Sequence, residues 1–273
     1  MADFYALTSN PLPKRLHGSS ADCSIRTLSS SERLQIEDRF FDNSGVKSSL
    51  DSATTSIVVA QPLAQRGSAA EYATLIEFVL AILTAAGFQA VDIAASFNGP
   101  SCTEAVRRPP PRKDMVTPKF SKTVNGTVAT EWIRTFFKAR QNSLDRMHIT
   151  ADRFVRYLRT DNVGDSLMDL CISLESLLDS QTEVSFRFGT HLAKVTGERG
   201  QKAEETAKLL SSLYDLRSKI VHGADATKER VKLEPHLPAL HRAARVELTD
   251  YVLFMSDHTR ADWRQHLHTL LFE

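Results

Sequence analysis

The chain has 273 residues, 42% of them apolar and 25% charged, the proportions of a folded soluble protein with room for two domains of ordinary size. Lys and Arg (34) nearly balance Asp and Glu (33), so no global positive field exists and any nucleic-acid contact must come from a local patch. Cys23, Cys102 and Cys171 are far apart and form no C-x-x-C, which excludes a disulfide framework and a zinc pattern and fits a reducing cytosol.

The first eight residues lack a basic stretch leading into an apolar core, so no signal peptide is expected. Residues 1–22, with Pro11, Pro13 and Gly18, read as irregular. Ile25 to Leu28 predicts a short strand, and Ser31 can cap a helix from Glu32 to about Phe41. Ser56 to Ala60 is β-branched and ends at Pro62, which predicts a strand. Ser68 and Glu71 make a capping box for a helix from Tyr72 to Ala86, stopped by Gly87. Its most apolar run, Phe78 to Phe88, is too short to span a bilayer. Phe88 to Phe97 predicts a second strand. Strand–helix–strand suggests a small α/β unit, with parallel pairing as one arrangement. Gly67 lacks the partners of a phosphate loop, so no nucleotide site is expected.

Arg107 to Lys113 contains three consecutive prolines among basic residues and reads as a stiff linker. The organisation expected is a small α/β domain over residues 1–106, a linker over 107–128 and an all-helical domain over 129–273. In that domain one helix runs from about Glu131 to Asn142. The next, from about Arg146 to Arg159, has Met147, Ala151, Phe154 and Leu158 as its core face. Arg146, Arg153, Arg156 and Arg159 spread over its other side, either as a solvated face or as a surface that tracks phosphates.

A helix from Asp165 or Ser166 to Leu178 carries Asp165, Asp169, Ser173 and Ser176 on its polar side, while Glu175 falls on the apolar flank beside Cys171. After a short helix over 183–196, the longest helical pattern runs from Gln201 to Gly223, with Ala203, Ala207, Leu210, Leu213, Tyr214 and Val221 on one face. Arg217 lies inside that stripe, and a guanidinium is rarely buried unpaired. Two neighbouring helices thus each carry one misplaced charge. The expectation is that Glu175 and Arg217 face each other as a partly buried pair. Gly223 sits where a left-handed helix cap belongs, and cations near a helix end are ordinary. Residues 224–235 read as a polar loop, followed by helices from Leu237 to Ser256 and from Ala261 to Phe272. His236, His241, His258, His266 and His268 share no face and read as surface histidines, not metal ligands.

The run Arg217-Ser-Lys-Ile-Val-His222-Gly223 resembles the R-x(4–6)-H signature of HEPN domains, and most closely the Apea-like branch, in which "LRSKIVHG" closes a long helix. Leu174 to Leu178 resembles that branch's "ALExLL" helix, and Thr182 to Gly197 its next helix. The likeness covers about the last 130 residues. It implies an all-α bundle, commonly a symmetric homodimer with a composite cleft, and metal-independent endoribonuclease activity in the cytoplasm. Such an enzyme needs no cofactor and acts on RNA as a toxin or anti-phage effector, with an antitoxin or activator as a further partner. Arg217 and His222 would then be catalytic, with Glu175, Ser218 and Lys219 in support. Histidine suits taking the 2′-hydroxyl proton or protonating the 5′ oxygen, and arginine's planar fork suits the phosphate. Ser218 departs from the Asn, Asp or His common at that position in active relatives. The alternative is a non-catalytic module for dimerisation or for RNA or partner binding. Positions 217 and 222 lie about 140° apart on a helix, so they converge only if the end frays or if two chains share the site.

Overall fold

The computed structural model describes residues 4–8, 18–19, 23–27, 29–39, 56–59, 74, 78, 93–98, 127, 130–131, 133–135, 145–160, 162–178, 184–195, 200–255 and 257–270. They form two compact units, one from the residues up to 135 and the other from 145 onward. The proline-rich stretch over 107–126 and Cys102 lie outside the described residues.

The first unit holds a five-stranded sheet: β1 (Phe4–Thr8), β2 (Gly18–Ser19), β3 (Cys23–Arg26), β4 (Ser56–Val59) and β5 (Ile93–Asn98), in the order β2-β3-β4-β1-β5. Every one of these pairings is antiparallel. The parallel arrangement suggested by the strand–helix–strand order is therefore replaced. β4 and β5 run in the same direction, but β1 lies between them and pairs with both, Tyr5 opposite Val58 on one side and Phe97 on the other. β1 itself falls in a stretch read from sequence as irregular. Five residues carry little periodic signal, and two distant strands hold them in place.

Helix α1 (Ser30–Arg39) starts one residue after Ser29, so Ser29 and not Ser31 caps it. Ser29 Oγ accepts from the Glu32 N–H (3.3 Å), and the Glu32 carboxylate accepts from the Ser29 N–H (2.9 Å), a reciprocal capping box. Arg26 grips the same carboxylate with both terminal nitrogens at 2.6 and 2.7 Å, which holds it down at about pKa 2, with Ser29 assisting. Thr74 and Phe78, within the predicted helix 72–86, are helical and buried.

The second unit is a helical bundle: α2 (Asp145–Arg159), α3 (Val163–Leu178), α4 (Val184–Val195), α5 (Gln201–Val221), α6 (Ala226–Leu233), a 3-10 turn (Glu234–His236), α7 (Leu237–Met255) and α8 (Arg260–Leu270). Helix α3 is the hub, touching α2, α4, α5, α6 and α7. Leu167, Leu170, Cys171, Leu174, Leu177 and Leu178 give it an apolar surface wide enough for several neighbours. Helices α4 and α5 approach closely at Gly189, where an added Cβ would stand 3.1 Å from the Ala207 carbonyl oxygen and collide with the Ser211 hydroxyl.

The polar side of α3 is exposed at Asp165 but covered further along. Asp169 and Ser173 are buried, and this stripe forms the seam with α2. Ser166 Oγ donates to the Tyr157 carbonyl (3.0 Å), Ser173 Oγ donates to the Thr150 carbonyl (2.8 Å), and the Thr150 and Ser176 hydroxyls share a bond. The seam is tolerable because these polar groups find partners in it. Residues 224–235, expected to be loop, contain α6 and the turn. Asp225 Oδ1 accepts from the Lys228 N–H at the start of α6, and Leu233 anchors it in the core. Among the described residues no helix is long and apolar enough to cross a membrane.

Candidate functional site

Helix α5 ends as its sequence predicts. Gly223 takes φ 87°, its N–H donates to the Ile220 carbonyl (3.0 Å), and the Ala224 N–H reaches back to the Lys219 carbonyl (2.9 Å). These two bonds close a Schellman cap, which needs the left-handed residue that glycine supplies. His222 is the residue just before it. Its own N–H still donates to the Ser218 carbonyl (3.1 Å), so the end is closed and not frayed. Its imidazole is exposed, about 140° round the axis from Arg217.

Arg217 sits where α5 packs on α3. Its Nη2 stands 3.5 Å from Glu175 Oε2, with both side chains roughly 30% exposed (31% and 28%), so the expected partly buried pair is present. The guanidinium carbon lies 5.6 Å from the centre of the Tyr214 ring, a cation–π contact. Nε is buried and makes no hydrogen bond. The fork is therefore fixed from two sides while part of its donor capacity goes unused. Burial, then the Glu175 carboxylate, raise the Tyr214 hydroxyl above its ordinary range, against the lowering effect of Arg217. The same combination pushes the buried Cys171 thiol up to about 12, so it stays protonated and is no nucleophile.

The supporting residues divide. Ser218 is half-buried beside Arg217 and lends its carbonyl to the cap. Lys219 points the other way, its Nζ 3.0 Å from Glu229 Oε2 on α6, while Lys232 Nζ takes the other oxygen at 2.8 Å. Val221, expected in the core stripe, is 57% exposed.

The arginine set on α2 is largely occupied. Arg153 Nη1 donates to Asp169 Oδ1 at 2.8 Å, and Arg156 Nε lies 3.5 Å from the other oxygen of that buried carboxylate. Asp169 needs the charge more than these half-buried and exposed arginines do, so they support the α2–α3 seam. Arg159 is half-buried, and the side chain of Arg146 lies outside the described residues.

Helix α7 carries groups that sequence reading missed. His241, expected at the surface, is buried beside Phe154 and Tyr157, with ring centres 6.0 and 5.8 Å apart. Burial, reinforced by Arg245, pushes it down to about 3, so it stays neutral. Its place next to Leu240 and one turn before Ala244 was the available signal, since both belong to the core face. His236, His258 and His268 are exposed as expected. No group of three or more metal-binding side chains occurs among the described residues.

Glu247 is fully buried and neither oxygen has a hydrogen-bond partner. Burial, with Asp250 nearby, raises its carboxyl well above the ordinary 4.5, so the folded chain holds a proton that the unfolded chain releases. Stability is therefore greatest below about pH 4.5 as far as this group is concerned, and is lost as pH rises. Asp250, pushed up to about 6 by burial, acts in the same direction, and His241 acts oppositely between about 3 and 6.5. Both remain in a Glu247→Gln variant and cancel in the comparison. The variant is expected to match the parent near pH 4 and to exceed it by about 1–3 kcal/mol at pH 8. Thermal unfolding from pH 4 to 8 measures this, and a difference that does not grow with pH would contradict it.

Compared with known protein families, with characterised proteins and with solved structures, the chain matches none.

Proposed function

We propose that the chain is a metal-independent endoribonuclease of the HEPN type, acting as a toxin or anti-phage effector. The observation that carries this reading is the pairing of a fixed, partly unsatisfied Arg217 fork with an exposed histidine on the closed end of the same helix. In the reaction His222 takes the proton of the RNA 2′-hydroxyl, and the 2′ oxygen attacks the adjacent phosphorus. The bond to the 5′ oxygen breaks, and that oxygen leaves with a proton taken from solvent water, while the proton held by His222 returns to solvent. Arg217 stabilises the charge on the phosphate oxygens. The products are a 2′,3′-cyclic phosphate and a 5′-hydroxyl.

The closed cap supports a site shared between two copies, because one chain keeps the two side chains on different sides of α5. The bare Val221 next to His222 suits a helix-end contact with a second copy. A second reading, a non-catalytic helical module, is favoured by the Glu175–Arg217 pair, which by itself accounts for an arginine in the stripe.

The test is incubation of the purified chain with total RNA and tRNA in EDTA, followed by end-group analysis. EDTA-resistant cutting that leaves cyclic phosphates supports the ribonuclease. Absence of cutting by the folded protein, alone and with cell extract added, favours the binding module.

A further inference from the structure

A cleft of about 750 Å³ runs along the opposite side of α5, walled by α6, the 3-10 turn and α7. Five cations line it: Lys202, Lys208 and Lys219 from α5, Lys232 from α6 and Arg242 from α7. Three carboxylates, Glu205, Asp215 and Glu229, leave the lining at net +2, more than the +1 of the whole chain. Glu229 is already neutralised by Lys219 and Lys232, one on each oxygen. Leucines, alanines and Val246 supply the apolar floor, Thr206, Ser212 and His236 add polar groups, and no Phe, Tyr or Trp lines the cleft.

From Lys202 to Lys219 the cleft follows α5 for about 25 Å. Lys219 belongs to both features. It closes the cleft and stands three residues before His222. A strand lying in the cleft is thereby led to the helix end that carries the candidate histidine.

We infer that this cleft is the approach path of the RNA substrate and holds the backbone of a single strand through its phosphates. This rests on the ribonuclease reading. With the His236 imidazole as the one ring among five cations, recognition is chiefly of the backbone, largely independent of sequence and strongly salt-dependent. A duplex should compete poorly for the cleft.

The experiment is fluorescence anisotropy of the full chain with a labelled, fully 2′-O-methylated single strand, which cannot be cut, across a salt series. Lys202→Glu/Lys208→Glu changes two exposed lysines outside the Arg217–His222 region, and circular dichroism checks its fold. Affinity should fall roughly tenfold or more. In Lys202→Ala/Lys208→Ala the slope of log K against log salt should become shallower by about 1.4, two contacts at about 0.7 each. Unchanged affinity in both variants, tighter binding of duplex, or tighter binding of a poly-glutamate peptide would each overturn the inference. Binding does not depend on cleavage, so the two readings fail separately. A chain that binds through these lysines but never cuts retains the cleft and loses the nuclease. One that cuts normally as the Lys202→Glu/Lys208→Glu variant retains the nuclease and loses the cleft.

Discussion

His222→Ala is expected to lower RNA cleavage by roughly 10²–10⁴-fold, the usual worth of a positioned general acid or base. Folding should be untouched. The imidazole is exposed, the backbone bond from His222 to Ser218 survives in alanine, and Gly223 still supplies the left-handed residue. Arg217→Ala should lose activity to a similar degree at little cost in stability. Its pair with Glu175 is about one-third exposed on each side, and ion pairs so screened contribute about 0–1 kcal/mol. Lys at 217 keeps the charge but loses the planar fork, so it should rescue poorly. Mixing the two dead variants tests the shared site. If Arg217 and His222 come from different chains, one of the two sites in each mixed dimer is intact, and random pairing restores about a quarter of the parent activity. Restoration to zero would place both groups in one chain, contrary to the dimer reading. Loss of fold in either variant would show that these residues hold the bundle together.

Trp263→Ala is expected to cost about 3–5 kcal/mol, the largest stability effect of any single change considered. The ring is almost fully buried and packs edge-on against Tyr251 and Phe254, with ring centres 5.1 and 5.3 Å away. Its Nε1 donates to the Leu177 carbonyl at 2.7 Å, a carbonyl at the C-terminal end of α3 with few other partners available there. Removing the indole therefore leaves a cavity and an unsatisfied acceptor together. Trp263→Phe should fall between, keeping most of the apolar volume but not the donor. Urea unfolding would show a lower midpoint at an unchanged slope. Because Leu177 is two residues beyond Glu175, loosening α8 also loosens the carboxylate that orients Arg217. Cleavage should decline with stability here, whereas in His222→Ala it declines alone. A Trp263→Ala protein as stable as the parent would mean that α8 is not part of the bundle core.

Several features could be read directly from the residues because they depend on neighbours in sequence. Gly223 announced the end of α5, since only glycine takes its conformation without strain. The helix pattern over Gln201 to Val221 was visible because its apolar residues repeat at helical spacing. Even the Glu175–Arg217 pair was accessible, as each charge was out of place on its own helix and each needed a partner of opposite sign.

Other features were not legible, and for a common reason. Periodicity shows which residues share a side of a helix or strand, but not what that side meets. Asp169, Ser173 and Ser176 could be read only as a polar side of α3, yet α2 covers them and its Arg153 and Thr150 satisfy them. His241 looked like one more surface histidine until Phe154 and Tyr157 closed over it. Phe4–Thr8 gained strand geometry from partners some fifty and ninety residues away, through hydrogen bonds that no local pattern encodes. Capping and amphipathic spacing act over a few residues, so the residues alone located the long helices of the second unit and the anomalous charges, but not the short α6 inside the polar stretch 224–235. Which polar groups are buried, which lysines line a cleft and how the strands are ordered depend on surfaces that the chain brings together from a distance, so these emerged from the packing.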